Sequence, residues 1–293
     1  MDEENVNHRD FGGSGDPMLL VHGLGGSIEN WLPVAPLLTR VGRVVAIDLR
    51  GHGRTPMGDG ETADVYSNRA LIERFIDAHF DEPVTLVGNS MGGMISLLHA
   101  AERPDQVARL VLVDPSVPTP DGVPRDPVVD ALFSTYVIPG TGEEFIRQAT
   151  ATYGPEAMTR RTIRLCCRDA GRVGEDVVQA HIDLAGERTS MPWAVDAFIQ
   201  AARSLVDLKL RSGEYYDLIK SIRQPALIVQ GAHDRLVPLG AAMAVADLRP
   251  DWQIVTFDDA GHMPQLEMPE GFVDVVLLWL AHQKRLEEVG RSA

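Results

Sequence analysis

The chain's 293 residues are 44% hydrophobic and 24% charged, the balance of an ordinary globular protein that can bury a substantial core, and this composition argues against disorder. Its formal net charge of −15 repels phosphate backbones and anionic lipid, so neither nucleic acid nor a membrane surface is an expected partner. Nine histidines show no H-E-x-x-H or paired Cys-His spacing, and the two cysteines are adjacent, Cys166-Cys167, so free thiols are expected with no metal, no cofactor and no disulfide framework.

In chain order, the first signal is negative. Met1-Asp2-Glu3-Glu4 places acid where a secretory signal carries base, and the run 273–281 contains Asp274 and falls well short of the roughly 20 apolar residues that cross a bilayer. A cytoplasmic location is therefore expected. Short apolar runs at 18–21, 43–47, 84–87 and 109–113 then alternate with helix-like stretches at 31–39, 66–80 and 91–103. This is the βαβ rhythm of a parallel sheet. The run 84–87 leads into Gly88-Asn89-Ser90-Met91-Gly92, where a serine between two glycines sits on a turn too tight for flanking side chains and presents its hydroxyl as a nucleophile.

The alternation stops at Asp114-Pro115, after which Pro118, Pro120, Pro124 and Pro127 break any regular element. Over 128–222 only helix-length segments occur, punctuated by Gly140, Gly154-Pro155, Gly171, Gly174, Pro192 and Gly213, which reads as an inserted helical unit. Arg160, Arg161 and Arg164 within it read as a solvated helix face. Strand signals resume at 226–229 and 252–257 around a helical 239–248, and a helix from about 269 to 288 closes the chain. His22-Gly23-Leu24-Gly25-Gly26, Asp234 and His262 each follow a strand, as Ser90 does, and α/β sheets build their sites at those ends.

The order Ser90, Asp234, His262 on this framework resembles the α/β-hydrolase family, over almost the whole chain, with 115–222 matching only in kind. The resemblance implies an α/β fold with a mostly parallel, eight-stranded-type sheet flanked by helices. Its core would comprise 1–115 and 223–293, with 116–222 as a helical lid lining the pocket. It implies Ser90 as nucleophile, His262 as base and Asp234 as the acid that orients the imidazole, with Asp114 as a rival for that last role. The backbone N–H groups of Leu24 and Met91 would form the oxyanion hole. His22 and His52 are expected to brace loops. Trp31 either touches substrate or fills core, and Trp193 either walls the pocket or packs helices.

A serine nucleophile with a base and an orienting acid points first to hydrolysis of a small or medium carboxylic ester. Gly88-Asn89-Ser90-Met91-Gly92-Gly93 is also similar to the nucleophile segment of meta-cleavage-product hydrolases, which cut a carbon-carbon bond. Gly25-Gly26-Ser27 and Met263-Pro264 depart from that subfamily's pattern. Epoxide hydrolases and haloalkane dehalogenases use a carboxylate nucleophile, which Ser90 disfavours. Perhydrolase chemistry as a side reaction and a non-catalytic small-ligand receptor are the remaining alternatives. The expected partner is a small-molecule substrate, and a homodimer is compatible with all of these readings.

Overall fold

A computed structural model describes residues 5–292. The acidic residues 1–4, read above against a secretory signal, lie outside the described residues. Seven strands form one sheet: β1 (His8–Gly12), β2 (Met18–Val21), β3 (Val44–Ile47), β4 (Val84–Asn89), β5 (Val107–Val113), β6 (Ala226–Gly231) and β7 (Gln253–Phe257). Their spatial order is β1-β3-β2-β4-β5-β6-β7, with β1 antiparallel to β3 and every other neighbouring pair parallel. The expected eight-stranded pattern is thus corrected to seven among the described residues.

The order reverses at β2. The chain steps from β2 outward to β3, then returns to place β4 on the other side of β2. The loops after β2 and β4 therefore diverge and leave a crevice at the carboxyl ends, where open α/β sheets bind ligands. Those loops carry Leu24 and Ser90.

Helices cover both faces. Alternation along β2 sends Leu19 and Val21 to one core cluster and Met18 and Leu20 to the other, as a period of two requires. The first cluster is completed by α2 (Val65–His79), α3 (Met91–Glu102) and α9 (Leu239–Leu248), and the second by α1 (Ala35–Leu38) and the terminal α11 (Pro269–Ser292). The single helix expected over 31–39 is instead a 3-10 turn, Ile28–Trp31, followed by the one-turn α1. Pro33 and Pro36 supply no N–H to a longer ladder, and Pro36 is accommodated in the first turn of α1.

Between β5 and β6 the chain is helical: α4 (Pro127–Val137), α5 (Thr141–Cys166), α6 (Glu175–Arg188), α7 (Ala194–Leu210) and α8 (Ser212–Ser221). Gly154, at φ 73° and ψ 170°, divides α5 into two helices across a kink next to Pro155. The short α10 (Pro264–Glu267) follows the loop after β7. No helix among the described residues is long and apolar enough to cross a membrane.

Phe272 is fully buried where α11 meets the sheet. Phe272→Ala is expected to lower the unfolding free energy by about 3–5 kcal/mol through lost transfer energy and a residual cavity. Urea denaturation checks this, and a loss below about 1 kcal/mol would show that the α11 interface does not depend on that ring.

Candidate active site

Ser90 joins β4 to α3 at φ 54° and ψ −115°, a left-handed backbone that a non-glycine residue adopts at a cost of about 1–3 kcal/mol. Sheet and helix hold it there. Its N–H donates to the Val113 carbonyl at 2.9 Å, and its own carbonyl accepts from Met94 N at 3.1 Å and Ser116 N at 3.0 Å. The flanking glycines are a steric requirement: a Cβ on Gly92 would stand 2.2 Å from the Val21 oxygen, and one on Gly88 would stand 2.5 Å from the Gly92 oxygen. The serine therefore sits at the N-terminus of α3, where the helix dipole favours negative charge.

His262 and Asp234 come from the loops after β7 and β6. Their side chains are buried together, with Nδ1 of His262 donating to Asp234 Oδ2 at 2.7 Å. Three further groups aim at the same carboxylate: Leu236 N at 2.7 Å and Val237 N at 3.0 Å on Oδ1, and Gln230 Nε2 at 3.2 Å on Oδ2. Asn89, beside Ser90, donates to both the Val113 carbonyl at 3.1 Å and the His262 carbonyl at 3.2 Å. The residue before the serine thereby binds the histidine loop. Asn89 and Gln230 were not singled out by the sequence, because their roles depend on which strands become neighbours.

Asp114 lies in the same cluster. Asp114, Asp234 and His262 each bring one potential ligand atom within 4.8 Å of the others, the one such trio among the described residues. Within this trio, Nδ1 of His262 is engaged by Asp234. Burial, and next the charge of Asp234, push the Asp114 carboxyl well above the usual carboxylate range.

The loop after β2 supplies Leu24. A Cβ on Gly23 would lie 3.0 Å from Ser90 Cβ, which places the Gly23-Leu24 backbone against the serine. Neither the Leu24 nor the Met91 N–H has an acceptor among the described residues. His22 braces this loop. Leu49 N donates to its Nε2 at 2.9 Å, so its proton resides on Nδ1, which donates to the Gly23 carbonyl at 2.7 Å. Burial holds the His22 imidazole down to about 4 and that of His52, 5.6 Å away between ring centroids, down to about 3. Neither ring is arranged as a second base. Asp48, buried beneath both loops, is pushed up to about 6 by desolvation, despite accepting from Asn7 Nδ2, Ile28 N and Arg54 N.

The helical insertion reaches the same loops. The Cys166 carbonyl, at the end of α5, accepts from His262 N at 2.6 Å. Glu267 bridges the two segments, accepting from Gly261 N at 2.7 Å and from Asp169 N at 3.0 Å. Arg54 forms a two-toothed pair with Glu187 of α6 at 2.8 and 2.9 Å and also binds Glu29 at 2.7 Å. Arg188 reaches the Gly25 carbonyl at 3.4 Å. Cys166 and Cys167 are free and buried, and desolvation raises both thiols. Trp31 is fully enclosed in the core cluster with Val34, Leu38 and Phe272, whereas Trp193 is half-buried at the start of α7. Of the two readings held for Trp31, core filling fits this placement.

Residues 16–269 match the family described as alpha/beta hydrolase fold. A 2-hydroxy-6-oxo-2,4-heptadienoate hydrolase of Pseudomonas putida is 30% identical over 276 residues, covering 92% of this chain and 90% of the relative. A pimeloyl-acyl-carrier-protein methyl ester esterase of Aromatoleum aromaticum is 32% identical over 253 residues, covering 86% and 93%. Among solved structures, a meta-cleavage product hydrolase from Pseudomonas fluorescens superposes with a TM-score of 0.72 at 22% identity, covering 95% of this chain and 94% of that one. An esterase from Exiguobacterium antarcticum gives a TM-score of 0.74 at 22% identity, covering 94% and 95%.

Because His22 stays neutral down to about pH 4 when folded but titrates near the ordinary imidazole value of 6.5 when unfolded, the unfolded chain takes up more protons in between. Its contribution to stability is complete above about 6.5 and is lost as the pH falls toward 4. Asp48, raised, works in the opposite direction, so the comparison is made between variants. His22→Gln is expected to shrink the stability loss between about pH 7 and pH 5 by about 2 kcal/mol, measured by urea unfolding at both values. An identical loss in both proteins would mean that the ring titrates normally. Separately, Glu267→Ala strands two backbone donors, and is expected to cost about 1–3 kcal/mol and to accelerate amide exchange at Gly261 and Asp169.

Proposed function

The chain belongs to the alpha/beta hydrolase fold family, and from that premise we propose that it is a serine hydrolase cleaving a small or medium carboxylic ester through an acyl-enzyme. The observation that carries the reading is the buried 2.7 Å contact between His262 and Asp234, in loops bound to the turn that holds a serine at φ 54°. With Asp234 accepting from Nδ1–H, Nε2 is left as the basic nitrogen. In the proposed reaction, Nε2 takes the Ser90 Oγ proton as Oγ attacks the carbonyl carbon, and the oxyanion forms between the Leu24 and Met91 N–H groups. His262 then gives the proton to the leaving alcohol. A water activated by the same nitrogen releases the acid from Ser90. No cofactor enters this sequence of steps. The helices of 116–222 are assigned as the lid, with Trp193 as a candidate pocket wall and the substrate's distal groups setting specificity.

Arg188 favours a second reading, carbon-carbon bond hydrolysis of a ring-fission dienoate. Its guanidinium is half-buried beside the loop that carries Leu24, and its hydrogen-bond partner among the described residues is a carbonyl at 3.4 Å. Among the described residues no carboxylate is in ion-pair contact with it, although the field of Asp48 reaches it, and such a cation suits a substrate that brings a carboxylate. The relative from P. putida, at 30% identity, is named for such a dienoate.

A panel of graded acyl esters with one ring-fission dienoate separates the two. An ester burst followed by steady turnover is expected, with kcat in Ser90→Ala lower by about 10³-fold or more and the burst abolished. Asp234→Asn is expected to lower kcat on the order of 10³- to 10⁴-fold by releasing the imidazole tautomer. Full turnover in Ser90→Ala would sink the mechanism. Dienoate cleavage far above every ester, with its KM raised in Arg188→Gln, selects the second reading.

A further inference from the structure

Asp114 occupies a position that is expensive for a turn residue. It is fully buried at the end of β5, and its backbone takes φ 44°. Gly231 N donates to its Oδ1 at 2.8 Å, whereas its Oδ2 meets no donor among the described residues. An ionised carboxylate oxygen buried without a donor carries its full desolvation penalty. A neighbouring group makes matters worse for an anion: Asp234 lies in the same cluster, within 4.8 Å, and is itself a carboxylate. Two like charges at that separation cannot both persist at low cost, and one oxygen takes up a proton.

The donor sets decide which one. Asp234 collects two backbone N–H groups, the Gln230 amide and the imidazole Nδ1–H, whereas Asp114 collects one backbone N–H. The anion belongs where the donors are. A proton on Asp114 Oδ2 converts a stranded acceptor into a donor facing an acceptor.

We propose that Asp114 is kept as the neutral acid with its Oδ2–H directed at the Asp234 carboxylate, and that it serves as a positioning residue holding Asp234 toward His262. One negative charge then stands behind the imidazole, and the Asp234 carboxylate is held by Asp114 in addition to His262, Gln230 and the Leu236 and Val237 N–H groups. The charged and titratable groups around the pair agree with this assignment. Glu267 on α10 adds a second negative field at Asp114, so it also favours the protonated form. The Cys166 thiol at the end of α5 faces Asp234 and Glu267, and the field of Lys209 on α7 reaches Asp234. Burial first and the Asp234 charge second raise the Asp114 carboxyl, so it loses its proton only as the pH climbs above the ordinary carboxylate range.

The kinetic part of the test rests on the serine-hydrolase reading, and the spectroscopic part does not. Asp114→Asn preserves the outline, since its amide N–H can donate to Asp234 and its oxygen can accept from Gly231 N. Asp114→Ala removes the donor. Asp114→Ala is expected to lose about tenfold or more in kcat with a smaller change in KM, and Asp114→Asn is expected to recover most of that loss. The wild type should lose kcat as the pH rises past the point where Asp114 ionises, above the ordinary carboxylate range, and Asp114→Asn should lack that limb. Infrared spectroscopy should show the carbonyl stretch of a protonated buried carboxyl in the wild type and in Ser90→Ala, and not in Asp114→Asn. The proposal is overturned by absence of that band from the wild type, by Asp114→Asn being as impaired as Asp234→Asn, or by Asp114→Ala keeping the wild-type kcat and pH profile. If instead Ser90→Ala retains turnover, the hydrolase reading fails while the infrared band still decides the protonation of Asp114.

Discussion

The arrangement depends on one short contact, the hydrogen bond of 2.7 Å from His262 Nδ1 to Asp234 Oδ2. Each partner sits in a loop, and loops are the least constrained part of an α/β sheet. The bond persists because both ends are fixed independently. Asp234 is clasped by two N–H groups of its own turn, and the histidine backbone is held through its N–H by Cys166 and through its carbonyl by Asn89. A buried contact whose two ends are each fixed by other hydrogen bonds has a defined direction, and direction is what the proposed base requires.

Around that contact the protein limits buried charge. His22 and His52 are held neutral by desolvation, and the Leu49 N–H bond to His22 Nε2 works only with the neutral ring. Asp48 is pushed up to about 6, and Asp114 is raised as well. With Asp114 neutral as proposed, Asp234 is the carboxylate bonded directly to the imidazole. The surface is another matter: the chain's net charge of −15 is carried by groups that water and surface arginines screen.

Much of this is legible in the residues. Every parallel strand declares itself through a short apolar run, and 18–21 and 239–248 match the observed β2 and α9 end for end. β1 is hidden because His-Arg-Asp-Phe-Gly is mostly exposed and shows no apolar alternation; it exists through pairing with β3, a long-range contact that no local pattern encodes. The helix over 31–39 fails for a local reason, its two prolines. At the site, the residues with strong local signatures are recognisable: a serine between glycines, an acid and a histidine after strands. Those that act through neighbours are not. Asn89 stands inside the serine motif, yet its bond to the His262 carbonyl, like the roles of Gln230 and the Cys166 carbonyl, arises only when distant segments converge. Glu267 stands within the His262 segment, but its second partner, Asp169 N, lies 98 residues earlier in the insertion.

That separation bears on how the helical insertion works. A cover that merely rested on the crevice could shift without consequence for the chemistry beneath it. Here the last carbonyl of α5 is bonded to the backbone of His262, Glu267 ties the following turn to Gly261, and Arg168 and Arg172 bond to the Asp258 and Asp259 carbonyls. At the opposite rim the contact is of a different kind: Arg54 and Glu187 meet as a partly exposed ion pair, which costs little to open. Apolar packing joins the insertion to the oxyanion loop as well: Leu24 lies against the cluster of Tyr136, Ile199 and Ala202, and Phe198 stands against Gly25, so both sides of the crevice are tied to these helices. The backbone of His262 and the loop that carries Leu24 therefore depend on the same helices, the first through hydrogen bonds and the second through close packing, which couples the two sides of the crevice.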